Sequence, residues 1–256
     1  MWYRVKKYIT FLLHSRNQHG VHSPFIYDFV TKCLYDKKKY PVYKTLQEYR
    51  KGLYASSETI SVTDFGAGSK VFKSNERQVA AIAKNAGATR SRQKMLWRVA
   101  SYFSAQEILE LGTSVGLATI ALAKAKKTHV TTLEGCPNTA KVASGHLLEQ
   151  EVNNVELVVG DFKETLMAQA KKNFDLIYFD GNHSKEATLS YFERLLATAH
   201  NDSVWIFDDI YWSPHMEAAW ETIKNDARVT VTVDCYWLGF VFFRKEQEKE
   251  HFKIRL

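Results

Sequence analysis

The chain has 256 residues, 45% of them hydrophobic, with only 4 prolines and a net charge of +7, enough for one large domain or a core domain with an extension. Its 3 cysteines (Cys33, Cys136, Cys235) form no CxxC pair, which argues against a disulfide framework or a structural zinc site and for a reducing, cytoplasmic setting. The longest apolar runs are strand-sized, so no membrane span is expected, and the basic residues fall in small groups (37–39, 90–98, 124–127) rather than the dense, aromatic-laced patch that nucleic-acid binding wants.

In chain order, Trp2, Val5, Ile9 and Leu12/Leu13 recur at helical spacing within MWYRVKKYITFLLHS. The apolar run is short for a signal peptide and no small-residue cleavage site follows. The stripe is expected to pack on its own domain rather than lie on a membrane surface. Ser23 before Pro24 in HSPFIYDFVTKCLYD reads as an N-cap with proline at the first helical position. Residues 62–69, VTDFGAGS, form a first glycine loop, and 75–84 and 93–103 carry helical periodicity.

From about residue 107 the texture changes. EILEL, HVTTL, VELVV, FDLIYF and SVWIF are short apolar runs separated by helix-length segments, which implies a parallel sheet with right-handed crossovers. RVTVTV and LGFVFF are too close for a crossover helix and should pair antiparallel, making seven strands with a terminal hairpin.

Two glycine loops compete for a cofactor. In EILELGTSVGLATIALAKA a buried strand ends at Glu110–Leu111, Gly112 opens a tight turn, and Gly116 sits where a helix starts; Thr113 and Ser114 present hydroxyls and backbone N–H groups there. The next strand ends in Glu134, where a carboxylate could accept from both hydroxyls of a ribose, and the third ends in Asp161–Phe162, a pairing suited to adenine. No strand or acid follows the 62–69 loop at a matching distance, so the cofactor goes to residues 110–116; Gly66 and Gly68 read as a turn or as a contribution to the substrate pocket. ELGTSVG lacks the central glycine that a pyrophosphate wants, and an acid before the first glycine suits a cationic cofactor instead.

Glu110, Gly112, Gly116, Glu134 and Asp161, with GDF, FDLIYFDGNH and the terminal hairpin, resemble the class I S-adenosylmethionine-dependent methyltransferases over residues 95–245, and most closely their O-methyltransferase branch of catechol-type and macrocin-type enzymes. The resemblance implies an α/β, Rossmann-like sheet of order 3-2-1-4-5-7-6 with strand 7 antiparallel, S-adenosylmethionine as cofactor, and a small-molecule acceptor hydroxyl. It divides the chain into a mainly helical extension, 1–94, that covers the site and chooses the substrate, and a methyltransferase domain, 95–256. The positive charge admits an anionic acceptor, and a homodimer is compatible with the sequence. Strands four and five end in Asp180, with His183 three residues on, and in Asp208–Asp209; these four should converge beside the cofactor, which Asp180 would also touch. In metal-dependent relatives acids at these places hold Mg²⁺, which assigns Asp180, Asp208 and Asp209 as ligands. In the macrocin-type branch D-x-x-H supplies a base, which assigns Asp180 and His183 to catalysis. Plainer roles stay open: Asp180 or Ser184 as a cap, His183 bonded to a backbone carbonyl, Asp209 capping a helix near Pro214. So do two other functions, a nicotinamide-dependent oxidoreductase and a catalytically degenerate fold that binds a partner or RNA.

Overall fold

A computed structural model of the chain describes residues 2–63 and 74–256; the 64–73 stretch, which holds most of the first glycine loop including Gly66 and Gly68, lies outside the described residues. The chain divides into two compact units, residues 37–168 and residues 1–36 together with 169–256. It opens with α1 (Trp2–His14) and α2 (Pro24–Phe29), both in the second of these units. The Ser23 hydroxyl accepts the Ile26 N–H and Pro24 fills the first helical position, as its residue types demand.

The 37–168 unit runs α3 (Val42–Ala55), β1 (Thr59–Ser61), β2 (Glu76–Gln78), α4 (Val79–Asn85), α5 (Arg90–Tyr102), β3 (Glu107–Leu111), α6 (Leu117–Ala123), β4 (His129–Glu134), α7 (Pro137–Glu149) and β5 (Val155–Val159), with α8 (Phe162–Gln169) at its border. β3 pairs parallel with β4, and β4 with β5, giving the first three strands the expected order. The helix expected from residue 75 begins only at Val79, because 76–78 pair antiparallel with 59–61. α3 is tied to the centre of this unit by Arg50, a buried cation satisfied without a carboxylate among its bonds: it donates to Gln93 Oε1 at 2.6 Å, to the Tyr54 hydroxyl at 2.9 Å and to the Ala88 carbonyl. Gln93 passes the connection on to the Leu117 carbonyl at 2.6 Å. The sequence LATIALA is apolar but for Thr119, whose hydroxyl is bonded to Glu110, and α6 is accordingly buried on every face.

The other unit continues with β6 (Leu176–Phe179), α9 (Lys185–Leu195), β7 (Val204–Asp208), α10 (Pro214–Asn225), β8 (Val231–Asp234), β9 (Leu238–Phe242) and β10 (Glu250–Lys253). β6 and β7 are parallel, β9 is antiparallel to both β7 and β8, and the order 4-5-7-6 holds. An eighth strand that the sequence did not announce, β10, adds in parallel to β8. The α/β, Rossmann-like class is as expected.

α1 forms where the periodicity put it, but the other way round. The stripe expected to face the core is exposed: Trp2 by 84%, Val5 by 46%, Ile9 by 54% and Leu13 by 77%. The inward face is Phe11, which packs on Tyr236, with Tyr3 and Lys7 bonded to Glu217 and Arg4 lying over Trp212 and Trp237. Aromatic and ionic contacts of long side chains outweigh the aliphatic stripe.

Candidate functional site

In the 37–168 unit the glycine loop is shaped by its backbone. Gly112 (φ 102°), Ser114 (φ 49°) and Gly116 (φ 79°) all lie in the left-handed region, which favours glycine at the first and last. The N–H groups of Gly112 and Thr113 both donate to the Leu133 carbonyl, at 2.9 and 3.2 Å, so the loop folds back on the end of β4. The Thr113 and Thr132 hydroxyls meet at 2.6 Å. At the tip of β4 the Glu134 carboxylate is clasped by main chain: Ser114 N–H donates to Oε2 at 2.8 Å and Cys136 N–H to Oε1 at 2.9 Å. The Glu134 carbonyl accepts from Gly160 N–H at 3.0 Å, which brings the end of β5 alongside. Asp161 follows, accepting the Lys163 N–H at 2.8 Å and opening α8, whose first residue is the half-buried Phe162. Gly112, Thr113, Ser114, Gly116, Glu134 and the Asp161–Phe162 corner therefore gather at one set of strand ends.

Glu110 sits apart from them. It is wholly buried, and its Oε2 accepts from the Thr119 and Thr132 hydroxyls at 2.6 Å each, linking β3 to α6 and β4. Oε1 is buried and has no hydrogen-bond partner among the described residues. Burial pushes this carboxyl up to about 7, against the pull of its two threonine bonds.

One buttress carried no motif. Tyr49 of α3 is buried and donates from its hydroxyl to the Val115 carbonyl at 2.9 Å, inside the glycine loop. A β-carbon on Gly116 would collide with that hydroxyl, so the glycine is required by its neighbour as well as by its φ. Tyr49 lies 66 residues from Val115 in sequence, in an ordinary amphipathic helix, and only the fold reveals it.

In the other unit β6 and β7 deliver the remaining residues. Asp180 follows β6, and the turn through Asn182 (φ 50°) returns His183 so that its Nε2 lies 3.6 Å from Asp180 Oδ1. Ser184 caps α9 by accepting the Ala187 N–H, which assigns that capping role to Ser184. The Trp212 ring stands 6.4 Å from that of His183. Asp208, the last residue of β7, is only 1% exposed; Tyr178 donates to its Oδ2 at 3.0 Å and the Asp209 N–H to its Oδ1 at 2.9 Å. Asp209 has φ 51°, an uncommon value that its type tolerates, and its N–H also reaches the Trp237 carbonyl at 2.8 Å. The α10 cap is Ser213, not Asp209. Among the described residues no three His, Cys, Asp or Glu side chains form a group able to hold a metal ion, Asp180, Asp208 and Asp209 included.

Residues 109–210 match the family described as a methyltransferase domain. A catechol O-methyltransferase of Mycobacterium tuberculosis is 34% identical over 120 residues, 46% of this chain and 54% of that protein, so the chain spans about half the length of the curated relative it matches. Two solved structures share the fold: an O-methyltransferase of Bacillus cereus in complex with S-adenosylhomocysteine (21% identity, 84% of this chain, 96% of that one, TM-score 0.57) and an S-adenosylhomocysteine-bound methyltransferase of Podospora anserina (14% identity, 88% and 97%, TM-score 0.63). The family match lies across the glycine loop and both acidic strand ends, so this stretch of the chain is similar to a methyltransferase domain and, among characterised proteins, to a catechol O-methyltransferase.

Proposed function

We propose that this chain moves a methyl group from S-adenosylmethionine to a hydroxyl of a small molecule, and that residues 1–94 help to choose that molecule. The observation that carries the reading is Glu134. Two backbone N–H groups fix this carboxylate in place at the strand end, and a ribose diol is the group that a carboxylate so positioned suits.

The residues fit a cationic nucleoside cofactor. Gly112, Thr113, Ser114 and Gly116 offer a backbone cradle, and Asp161 and Phe162 a polar and an apolar contact for adenine, while Glu110 is a buried acid beneath the loop, bonded to Thr119 and Thr132. When bound, the cofactor supplies an electrophilic methyl group on sulfur. The chain has to orient the acceptor oxygen and take its proton. His183 is the base in this reading: with Nε2–H turned to Asp180, Nδ1 keeps the lone pair that accepts the proton, and Asp180 stabilises the resulting cation.

The Mg²⁺ implied by the resemblance does not fit the carboxylates as they stand. Among the described residues Asp180, Asp208 and Asp209 form no group able to hold a metal ion, and the buried Asp208 is engaged by Tyr178 and by the Asp209 N–H, so no step is routed through a metal. EDTA should therefore leave turnover unchanged; loss in EDTA with recovery on adding Mg²⁺ would show that Asp208 leaves Tyr178 to bind an ion.

Calorimetry with S-adenosylhomocysteine, followed by a screen of hydroxylated metabolites for methyl uptake, tests the whole reading. Absence of S-adenosylhomocysteine binding would end it. Binding without methyl uptake across a broad acceptor panel would favour a degenerate binding protein.

A further inference from the structure

We infer that α1 docks the protein onto the surface of an anionic lipid bilayer. The helix is held to its own unit by one face only, through Phe11 and Tyr8 on Tyr236, Lys7 on Glu217, and Arg4 over Trp212 and Trp237. The opposite face carries Trp2, Val5, Ile9 and Leu13, exposed by 84, 46, 54 and 77%. A surface helix ordinarily turns its apolar side inward, and this one turns a continuous apolar stripe outward.

Charge selects the occupant. From Trp2 to Tyr27 the chain has Arg4, Lys6, Lys7 and Arg16 and no Asp or Glu. Arg4 and Lys7 face inward on Trp212 and Glu217, but Lys6 and Arg16 are exposed, and Lys6 shares a shallow depression with Trp2, Val5 and Ile9. An apolar stripe rimmed by cations suits the boundary between anionic headgroups and acyl chains, and tryptophan is at home at that depth. A second copy of the chain suits it less. A two-fold interface sets the same patch against itself, which would bring the Lys6 of both copies into one apolar interface with no acid on the stripe to offset them. The helix would lie in the surface and not cross it, in keeping with the absence, among the described residues, of any helix long and apolar enough to span. This inference stands independently of the methyl-transfer chemistry.

The test is sedimentation of the full chain with vesicles of phosphatidylcholine alone and of phosphatidylcholine mixed with phosphatidylglycerol. The wild type should pellet with the mixed vesicles, stay largely in solution with the neutral ones, and be released by salt. Ile9→Glu with Leu13→Glu should lower the partition coefficient by about tenfold or more. Lys6→Glu should lower it by about fivefold or more, from roughly 1 kcal/mol per basic residue. All three side chains point to solvent, so circular dichroism and melting should match the wild type and separate lost docking from lost folding. Equal recovery in the supernatant with both vesicle types would overturn the inference, as would pelleting that the variants leave unchanged. A wild-type dimer in velocity sedimentation that the double variant converts to monomer, without vesicle binding, would give this face to a second copy instead.

Discussion

The two sets of strand ends are built from different materials. In the 37–168 unit the groups assigned to the cofactor are held by main chain: Glu134 by two N–H groups, the loop by the Leu133 carbonyl, the turns by left-handed glycines. In the other unit Asp208 is held by the Tyr178 hydroxyl, His183 faces Asp180, and aromatic rings stand around them. Backbone cannot be mutated away, so the first arrangement suits a ligand that never changes. Side chains can be exchanged one at a time, and the second arrangement suits an acceptor that differs from one enzyme to the next. Damage to the first should appear in cofactor affinity and damage to the second in turnover.

The largest effect is expected on the side-chain-built side. His183→Ala should lower kcat by about 10²- to 10⁴-fold while S-adenosylhomocysteine affinity holds. If affinity fell and kcat did not, the division of labour would be reversed.

Next comes the buried acid. Glu110 is pushed from its ordinary 4.5 to about 7 by burial, so the folded chain holds that proton more tightly than the unfolded one. Its contribution to stability is complete below about pH 4.5 and lost as pH rises through about 7, on the order of 3 kcal/mol in all. Glu110→Gln keeps an oxygen for the Thr119 and Thr132 hydroxyls and cannot ionise. Urea unfolding should show the wild type losing ground to this variant between about pH 5 and pH 8. Parallel curves would place the titration elsewhere.

Glu134→Ala should weaken S-adenosylhomocysteine binding by about 1–3 kcal/mol, through lost bonds to ribose and loss of the clasp on Ser114. Unchanged affinity by calorimetry would remove the cofactor from this strand end. The smallest effect is expected at Tyr49→Phe. The ring still fills its place, but the Val115 carbonyl loses its donor, and affinity should fall by about 1 kcal/mol, with kcat at saturating cofactor unaffected. A fall in kcat with unchanged affinity would mean that the loop does not transmit the change.

The main-chain side is also the side that the sequence announces. Left-handed turns demand glycine, so Gly112 and Gly116 stand out, and the strand before Asp208 reads clearly because burial on both faces makes it a continuous apolar run. Side-chain partners leave no such trace: nothing in a helical tyrosine or in the Tyr of FDLIYF says that it will meet Val115 or Asp208. β10 was missed for a related reason, since Glu250, His251 and Lys253 do not read as strand until β8 is there to pair with them. Periodicity located α1 and could not orient it. A stripe records that two faces differ, and which one meets the core depends on Tyr236, Trp212 and Glu217, more than 190 residues away.

Helix α6 has one more consequence, in time rather than in space. It is a short helix behind the glycine loop, and both its ends are tied to their surroundings by side chains. Gln93 donates to the Leu117 carbonyl, Thr128 and Asn154 donate to that of Ala123, and the Trp97 indole donates to that of Lys124. A helix buried on every face and pinned at both ends has no fraying mode through which to lose its amide hydrogens one by one. In deuterium oxide the Ile120 and Lys124 amides, bonded to the Gly116 and Ile120 carbonyls, should exchange only when the whole unit opens. The slowest clock in the 37–168 unit would then sit directly behind its glycine loop.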